Sequence, residues 1–129
     1  MLGTSKSPQD SIKKAVELVQ EVIAQAEDNA AGHSLLGWLY AYKREYDKAL
    51  AEAERAMALN PSGADTYAWY GVVLTYACRP EEAVPIFQKA LRLNPFAPSW
   101  YFLNFGVNLV SLGRFEEAVS VCKKAIQRA

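Results

Sequence analysis

The chain has few of the residues from which most catalytic and metal sites are built. Its 129 residues include only two cysteines, Cys78 and Cys122, and one histidine, His33. Two thiols and one imidazole are too few for a disulfide framework or a four-ligand zinc site. Nucleophile–base–acid sets, glycine-rich phosphate loops and metal-ligand spacings are also missing from the sequence. We therefore expect a protein that is not an enzyme and that has no cofactor and no metal.

The chain also lacks net charge, because 14 Lys and Arg residues balance 14 Asp and Glu residues. A dedicated nucleic-acid-binding domain carries an excess of basic residues, so we expect no nucleic acid partner. Hydrophobic residues make up 51% of the chain and charged residues 22%, which is typical of one folded, soluble domain. The N-terminus has no basic stretch followed by an apolar core, so no signal peptide is predicted and we expect a cytoplasmic location.

Charge is missing from one long stretch, residues 93–113, whose 21 residues are nominally enough to cross a bilayer. This stretch also contains Pro95, Pro98 and three asparagines. Three amides are costly in a lone membrane span, and the two prolines mark a turn. The stretch is therefore interpreted as a turn followed by a soluble helix, without membrane insertion.

Several residues recur at intervals of 34 or 35 positions, which is the signature of a repeat protein. The pair Asn-Pro at 60–61 returns at 94–95. Small residues keep the same interval: Gly37, Gly71 and Gly106; Ala49, Ala83 and Ala118; Ala56, Ala90 and Ala125. The pattern predicts no strands and seven helices, at 9–27, 30–43, 46–59, 64–77, 80–93, 99–112 and 115–128.

The ends of these helices and the glycines within them carry further predictions. Pro80 is expected at a first helical position, and Ser62 is expected to cap the helix that begins near residue 64. A glycine in the middle of a helix costs about 1 kcal/mol relative to alanine. Three such glycines in register therefore predict close approach of a partner helix, through its small residues Ala49 and Ala56 and their equivalents.

This pattern resembles the tetratricopeptide repeat (TPR) family, whose unit of 34 residues is a pair of helices. The matching residues are Leu36, Gly37, Tyr40, Ala49, Ala56 and Pro61 in the first unit, Tyr67, Gly71, Ala83, Phe87, Ala90 and Pro95 in the second, and Phe102, Gly106, Ala118 and Ala125 in the third. The departures from the family pattern are His33, Ala53, Tyr70, Leu74, Phe105, Leu109 and Cys122.

The resemblance implies an all-α fold, a right-handed α-solenoid of antiparallel helix hairpins. Repeats are expected at 30–63, 64–98 and 99–129, after a flexible leader at 1–8 and one extra helix within 9–29. We expect residues 9–129 to form a single TPR domain. No polar capping helix follows the third repeat, so its open end is expected to be covered by further protein or by another chain.

In the TPR family the first helix of each pair lines a concave groove. The corresponding segments here, 30–42, 64–77 and 99–112, contain only one charged residue, Asp65, but 11 of the 15 aromatic residues. The family's groove positions predict a binding site made of Leu35, Trp38, Tyr42, Trp69, Val72, Tyr76, Trp100, Leu103, Asn104 and Val107. The three tryptophans, 31 residues apart, are predicted to form a diagonal line, and Asn104 to bind a backbone amide of the ligand. The family's carboxylate clamp for acidic chaperone tails needs Lys and Arg, which these positions lack.

Other candidate residues have a structural interpretation. His33 and Cys122 stand where the family has core aromatics, and Cys78 falls at a helix end. The acidic pairs at 81–82 and 116–117 begin outer helices, so they are interpreted as solvated first-turn residues. Six aromatic residues are expected in the core: Tyr40, Tyr67, Tyr70, Tyr101, Phe102 and Phe105.

The leading hypothesis is a protein–protein interaction scaffold that binds an apolar or aromatic-rich peptide or helix in its groove. One alternative is self-association through the open C-terminal repeat, giving a homo-oligomer. Another is a regulatory segment of a larger multidomain protein, since residues 94–101 are similar to TPR tails downstream of bacterial class III nucleotide cyclase domains. A pentatricopeptide-type RNA-binding groove fits poorly, because it would need polar and basic side chains.

Overall fold

The computed structural model describes residues 7–25 and 28–128, and all regular structure in this part of the chain is helical. The seven helices are α1 (Pro8–Gln25), α2 (Ala30–Tyr42), α3 (Tyr46–Leu59), α4 (Ala64–Tyr76), α5 (Pro80–Leu93), α6 (Ser99–Ser111) and α7 (Phe115–Arg128). The predicted helices are confirmed to within two residues at each described end. Residues 26–27, predicted to end the first helix, and residues 1–6 of the predicted leader lie outside the described residues. Pro8, assigned to the leader, begins α1 instead.

The helices form consecutive antiparallel hairpins, α2–α3, α4–α5 and α6–α7, and α1 packs against α2. The first helices of the hairpins contact each other in the order α2, α4, α6. Among the described residues, no Cα atom of one second helix (α3, α5 or α7) lies within 8 Å of a Cα atom of another second helix. Because one layer is closely packed and the other is splayed apart, the stack curves with α2, α4 and α6 on its inner side. The predicted all-α solenoid of hairpins is confirmed.

Each hairpin turn is built in the same way. The residue after the cap of the first helix has a positive φ: 65° at Arg44, 63° at Cys78 and 74° at Gly113. The next residue donates its backbone N–H back into the helix, as when the Arg79 N–H bonds to the carbonyl of Leu74 at 2.9 Å. This left-handed termination is a common helix end and is easiest for glycine. Glycine therefore suits the position that Cys78 occupies, and the third hairpin has Gly113 there.

The predictions for the helix starts were right in one case and wrong in another. Pro80 occupies the first turn of α5, as predicted. The Asn29 side chain accepts a hydrogen bond of 2.9 Å from the Gly32 N–H and caps α2. The prediction that Ser62 caps α4 was wrong, because the capping position is taken by Gly63, which has no side chain to accept a bond. Among residues 7–25 and 28–128, no helix is long and apolar enough to span a membrane.

The three mid-helix glycines lie where two helices approach closely, as predicted. A Cβ added at Gly37 would lie 3.1 Å from the Ala49 carbonyl oxygen. At Gly71 the added atom would meet the Phe87 ring at 2.8 Å, and at Gly106 it would meet the Cys122 Sγ at 2.5 Å. In the second and third repeats the opposing residue is therefore Phe87 or Cys122, and not the alanine that the sequence suggested.

The core runs between the hairpins and contains most of the expected aromatic residues. Tyr67, Tyr101, Phe102 and Phe105 are buried, whereas Tyr40 and Tyr70 are half-buried. His33 is buried too, and its Nδ1 lies 2.6 Å from Oε2 of Glu52, which links α2 to α3. The expectation that Cys122 is fully buried needs correction, because its side chain is only half-buried, beside Gly106 of α6. Both residues therefore pack between the two helices of a hairpin, His33 against Glu52 and Cys122 against Gly106.

The acidic pairs at 81–82 and 116–117 lie exposed in the first turns of α5 and α7, as interpreted from the sequence. One member of each pair binds the arginine that precedes the helix. Arg79 makes two hydrogen bonds to Glu82, and Arg114 makes two to Glu117 at 2.7 and 2.8 Å. These hydrogen bonds lower the pKa of the Glu82 and Glu117 carboxyls. Each arginine–glutamate pair therefore links the end of a hairpin turn to the first turn of the helix that follows it.

Candidate binding face on the inner helices

A line of tryptophan rings crosses the inner layer of the solenoid. The ring centroids of Trp38 on α2 and Trp69 on α4 are 6.5 Å apart, and those of Trp69 and Trp100 on α6 are 5.2 Å apart. Tyr42 extends the line at one end, 5.7 Å from Trp38, and Tyr101 extends it at the other, 4.5 Å from Trp100. These distances are those of directly interacting aromatic rings. The three tryptophans lie next to one another, one per repeat.

The three tryptophans differ in how they are attached to the core. Trp38 packs against the buried clusters around Val72 and around Leu36, and Trp100 packs against the cluster around Tyr101. Trp69 does not belong to any of the four core clusters found in the described part of the chain. Its ring contacts are those with the other two tryptophans, and it is half-buried, as they are. Trp69 is therefore the tryptophan least needed for packing.

Most of the remaining predicted groove residues are exposed, but one is not. Leu35, Tyr42 and Tyr76 lie on the surface. Val72 is only 3% exposed and belongs to the central core cluster, so its assignment to the groove was wrong. The reason is that its position in the repeat is covered by the next hairpin.

Leu103 and Val107 also need a different description. In the first two repeats their equivalents are Ser34 and Ala68 for Leu103, and Trp38 and Val72 for Val107. Ser34, Ala68 and Val72 are buried against the following hairpin, whereas Leu103 and Val107 are about half exposed. The two residues therefore lie on the end of the stack.

Three further apolar residues share this end face, and the sequence analysis did not single them out. Val119 is 55% exposed although its equivalent Val84 is 9% exposed. Val110 and Ile126 are exposed as well, whereas their equivalents Thr75 and Leu91 are half-buried. The sequence did contain a signal for this surface, because each of these residues lies in register with a position that is buried or half-buried in the earlier repeats. We call these five residues the end face: Leu103, Val107, Val110, Val119 and Ile126.

Asn104 lies beside the tryptophan line, but its amide is used within its own helix. The Nδ2 group donates a hydrogen bond of 2.8 Å to the Trp100 carbonyl, one turn earlier. This bond uses one of the two N–H donors, so the second N–H and the side-chain oxygen are the groups that could bind a backbone amide of a ligand. The same bond joins the first two turns of α6.

The single charged residue of the inner segments, Asp65, is bound to a neighbour. The Tyr101 hydroxyl donates a hydrogen bond to an Asp65 carboxylate oxygen. Burial of the ring and this hydrogen bond raise the pKa of Tyr101 well above its ordinary value. Within residues 7–25 and 28–128, no three His, Cys, Asp or Glu side chains cluster as metal ligands would. The inner layer offers aromatic and apolar contact area.

Comparison with known proteins agrees with this architecture. The sequence profile of the tetratricopeptide repeat family matches residues 2–64, 34–98 and 76–129. The peroxisomal targeting signal receptor of Candida albicans is 34% identical over 95 residues, which are 73% of this chain and 16% of the receptor. That of Saccharomyces cerevisiae is 33% identical over 84 residues, 64% of this chain and 13% of the receptor. The chain thus spans about one sixth or less of the length of these relatives.

Solved structures show the same fold. A structure of MamA has a TM-score of 0.66 and 28% identity, covering 91% of this chain and 67% of that one. YrrB, described as a TPR protein with an unusual peptide-binding site, has a TM-score of 0.63 and 23% identity, covering 92% of this chain and 61% of that one. With the family profile matching almost the whole length, the chain belongs to the tetratricopeptide repeat family, whose members are protein–protein interaction modules.

Proposed function

We propose that this domain is a scaffold that binds an apolar, aromatic-rich peptide or helix of a partner protein along its tryptophan line. The observation that carries the proposal is the placement of Trp69, which touches both other tryptophans but packs on no core cluster of the described residues. Large aromatic side chains at the centre of a face supply most of the binding energy of protein interfaces. A partly accessible indole that packs on no core cluster of the described residues is best explained by such a contact.

The charge distribution supports an apolar ligand. The inner segments hold one charged residue, and Asp65 is already bonded to Tyr101. An acidic or basic peptide would lose its hydration there without gaining a charged partner. The yeast relatives are named as receptors of a targeting signal, which is in keeping with a peptide-binding role. We take the domain to act by binding alone, without catalysis, on the cytoplasmic side of the cell.

A peptide selection tests this function. A random library of 12-residue peptides displayed on phage is selected on the wild-type chain and, separately, on Trp69→Ala. We expect wild type to enrich peptides rich in Leu, Phe and Trp, and Trp69→Ala to lose them, while thermal stability falls by only about 1 kcal/mol. Phe96→Ala is the matched control, because Phe96 is 83% exposed on the turn before α6 and should change nothing. Equal enrichment on wild type and Trp69→Ala would refute the proposal.

The end face supports a second candidate function, self-association. Its five apolar residues stand at positions that are buried or half-buried in the first two repeats. Contiguous exposed apolar surface generally marks an interface, and two copies related by a two-fold axis bury the same face on each other. In this reading the chain forms a homo-oligomer by pairing α6–α7 with α6–α7 of a second copy.

Light scattering coupled to size-exclusion chromatography distinguishes this candidate from a monomer. We expect wild type to show a mass that rises with concentration, and Val107→Lys/Val119→Lys to remain at 14.3 kDa. Both valines are half-exposed, so the lysines leave the folded monomer intact. Phe96→Lys places a lysine on the surface elsewhere and should dimerise like wild type. A wild-type chain that is monomeric at every concentration excludes self-association and leaves the tryptophan face unaffected.

A further inference from the structure

A small cup opens at one end of the tryptophan line, where α2 and α4 end and α3 begins. It has a volume of about 240 Å³ and is lined by Trp38, Ala41, Tyr42, Arg44, Tyr46 and Tyr76. Tyr42 and Tyr76 are half-exposed, and Tyr46 and Trp38 are half-buried. Three of the lining residues, Ala41, Arg44 and Tyr46, are not among the groove positions predicted from the sequence. Four aromatic rings therefore surround a space that is already formed.

The size of the cup limits what it can hold. Sites for small-molecule ligands usually have roughly 300–1,000 Å³, so this cup is too small for most cofactors. It has room for one or two side chains of a longer ligand. The tryptophan line leads into it through Trp38, which is shared by both. The cup is thus an end pocket for the peptide proposed above.

The polar groups of the cup are three tyrosine hydroxyls and the Arg44 guanidinium. The hydroxyls of Tyr42, Tyr46 and Tyr76 make no hydrogen bond to any described residue. Two tyrosines elsewhere on the inner helices have hydroxyl partners, since Tyr40 accepts a bond from Gln20 at 3.2 Å and Tyr101 donates one to Asp65. Phenol groups donate readily to carbonyl oxygens, and the Arg44 guanidinium can only donate. A ligand for this cup should therefore bring acceptors.

An α-helical ligand does not fit this requirement, because its carbonyl oxygens are already bonded within the helix. An extended segment leaves its carbonyls free, but ordinary residues also bring N–H groups that need acceptors of their own. Proline has no N–H, and a polyproline II segment has no internal hydrogen bonds. Flat proline rings also pack on aromatic surfaces, which is the known basis of aromatic grooves that bind proline-rich segments.

Arg44 adds a charge to the rim of the cup. Its side chain is exposed, and it makes no ion pair with any residue in the described ranges, whereas the neighbouring Lys43 pairs with Glu45 at 3.1 Å. An unpaired guanidinium favours a carboxylate and disfavours a second cation. An aromatic cup could otherwise hold an ammonium group by cation–π attraction, but the positive charge of Arg44 opposes this.

We propose that this cup binds a proline-rich, extended segment of the partner, with the tyrosine hydroxyls donating to its free carbonyls and Arg44 pairing with an adjacent acidic residue. The inference rests on the proposed function, because it describes one end of the same ligand. It specifies the conformation of one end of the ligand, its main residue type and the charge of its neighbour, none of which the tryptophan line determines.

Fluorescence anisotropy with labelled peptides tests the proposal on the full chain. The probes are hexaproline flanked by aspartates, the same peptide flanked by lysines, and hexaalanine flanked by aspartates. We expect the aspartate-flanked proline peptide to bind at least tenfold more tightly than the alanine peptide and several-fold more tightly than the lysine-flanked one. Tighter binding of the lysine-flanked peptide, or equal binding of the proline and alanine peptides, overturns the proposal.

Variants locate the binding. Tyr76→Ala should weaken the proline peptide roughly tenfold, because it removes an aromatic contact and a donor. Tyr42→Phe/Tyr76→Phe keeps the rings and should weaken it about threefold to tenfold through the lost hydroxyls. Arg44→Ala should remove the preference for aspartate over lysine flanks. Phe96→Ala is the control that leaves all affinities unchanged, and if Tyr76→Ala matches it, the cup is not the site.

The outcome separates the two proposals. If library-selected apolar peptides bind and depend on Trp69 while the proline peptides do not bind, the inference fails and the proposed function stands. If the proline peptides bind through Tyr76 and no apolar peptide depends on Trp69, the cup is supported as a binding site. The proposal that an apolar peptide binds along the tryptophan line is then refuted.

Discussion

The second and third repeats are built on the same pattern, yet the same positions have different surroundings in the two. In the second repeat Val72 and Val84 are buried under α6. In the third, the equivalent Val107 and Val119 are each 55% exposed. In a stacked repeat protein each hairpin is completed by its neighbour. The comparison shows that a repeat motif specifies how a hairpin folds, while burial also depends on what is stacked against it.

The two repeats also differ inside their hairpins. Phe87 in the second repeat is fully buried and stacks on Phe105 with a centroid distance of 5.3 Å. Its equivalent in the third repeat is Cys122, which is smaller and only half-buried. The second repeat is therefore the well-packed centre of the molecule, and the third is its looser end.

Truncation of Phe87 should give the largest difference between the two repeats. We expect Phe87→Ala to lower the free energy of unfolding by about 3–5 kcal/mol, because a buried ring is removed from a packed core. Cys122→Ala should cost about 1 kcal/mol or less, since its side chain is smaller and only half-buried. Urea denaturation followed by circular dichroism measures both. Equal losses would mean that the third hairpin is as tightly packed as the second.

Adding a methyl group at the mid-helix glycines should give the next largest difference. Gly71→Ala pushes against the Phe87 ring at 2.8 Å, and this buried ring has no free space to enter. We expect a loss of about 1–3 kcal/mol from overpacking. At Gly106 the methyl group of alanine would be close to the Cys122 Sγ, the end of a small side chain that can change rotamer, and the helix gains about 1 kcal/mol in propensity. The expected net change at Gly106 is close to zero, and a larger loss there than at Gly71 would contradict this packing.

The hairpin turns should give the smallest difference, with opposite signs. Cys78 and Gly113 both have positive φ, at 63° and 74°. Cys78→Gly should raise stability by about 0.5–1 kcal/mol, because glycine adopts this conformation without strain. Gly113→Ala should lower it by about 1 kcal/mol for the same reason. Thermal melts of the two variants, compared with wild type, test the prediction, and a stabilised Gly113→Ala would show that the turn is not strained.

Much of the fold could be predicted from the sequence because the repeat marks it three times over. The spacing of Gly37, Gly71 and Gly106 located the inner helices, and Asn-Pro at 60–61 and 94–95 located the turns between hairpins. Helix caps were harder, since Ser62 and Gly63 are adjacent and either could have begun α4. That choice depends on the turn after Asn60, where the Gly63 N–H bonds to the Asn60 carbonyl.

The candidate site could be predicted only in part. Positions on a helix fix which residues share a face, and this was enough to bring Trp38, Trp69 and Trp100 together. They do not fix which face the next helix covers, and for this reason Val72 was wrongly assigned to the groove. Residues contributed by turns, such as Arg44 and Tyr46 in the cup, have no helical position from which their direction could be inferred.

The central claim is that the ligand lies along the tryptophan line. The most direct measurement is an NMR titration of the ¹⁵N-labelled chain, which has three indole N–H signals, with a peptide from the library selection. The account predicts that the Trp38, Trp69 and Trp100 signals all shift with the same dissociation constant, the Trp69 signal most. Unmoved indole signals, with shifts confined to the amides of the end-face residues Val107, Val119 and Ile126, would contradict it.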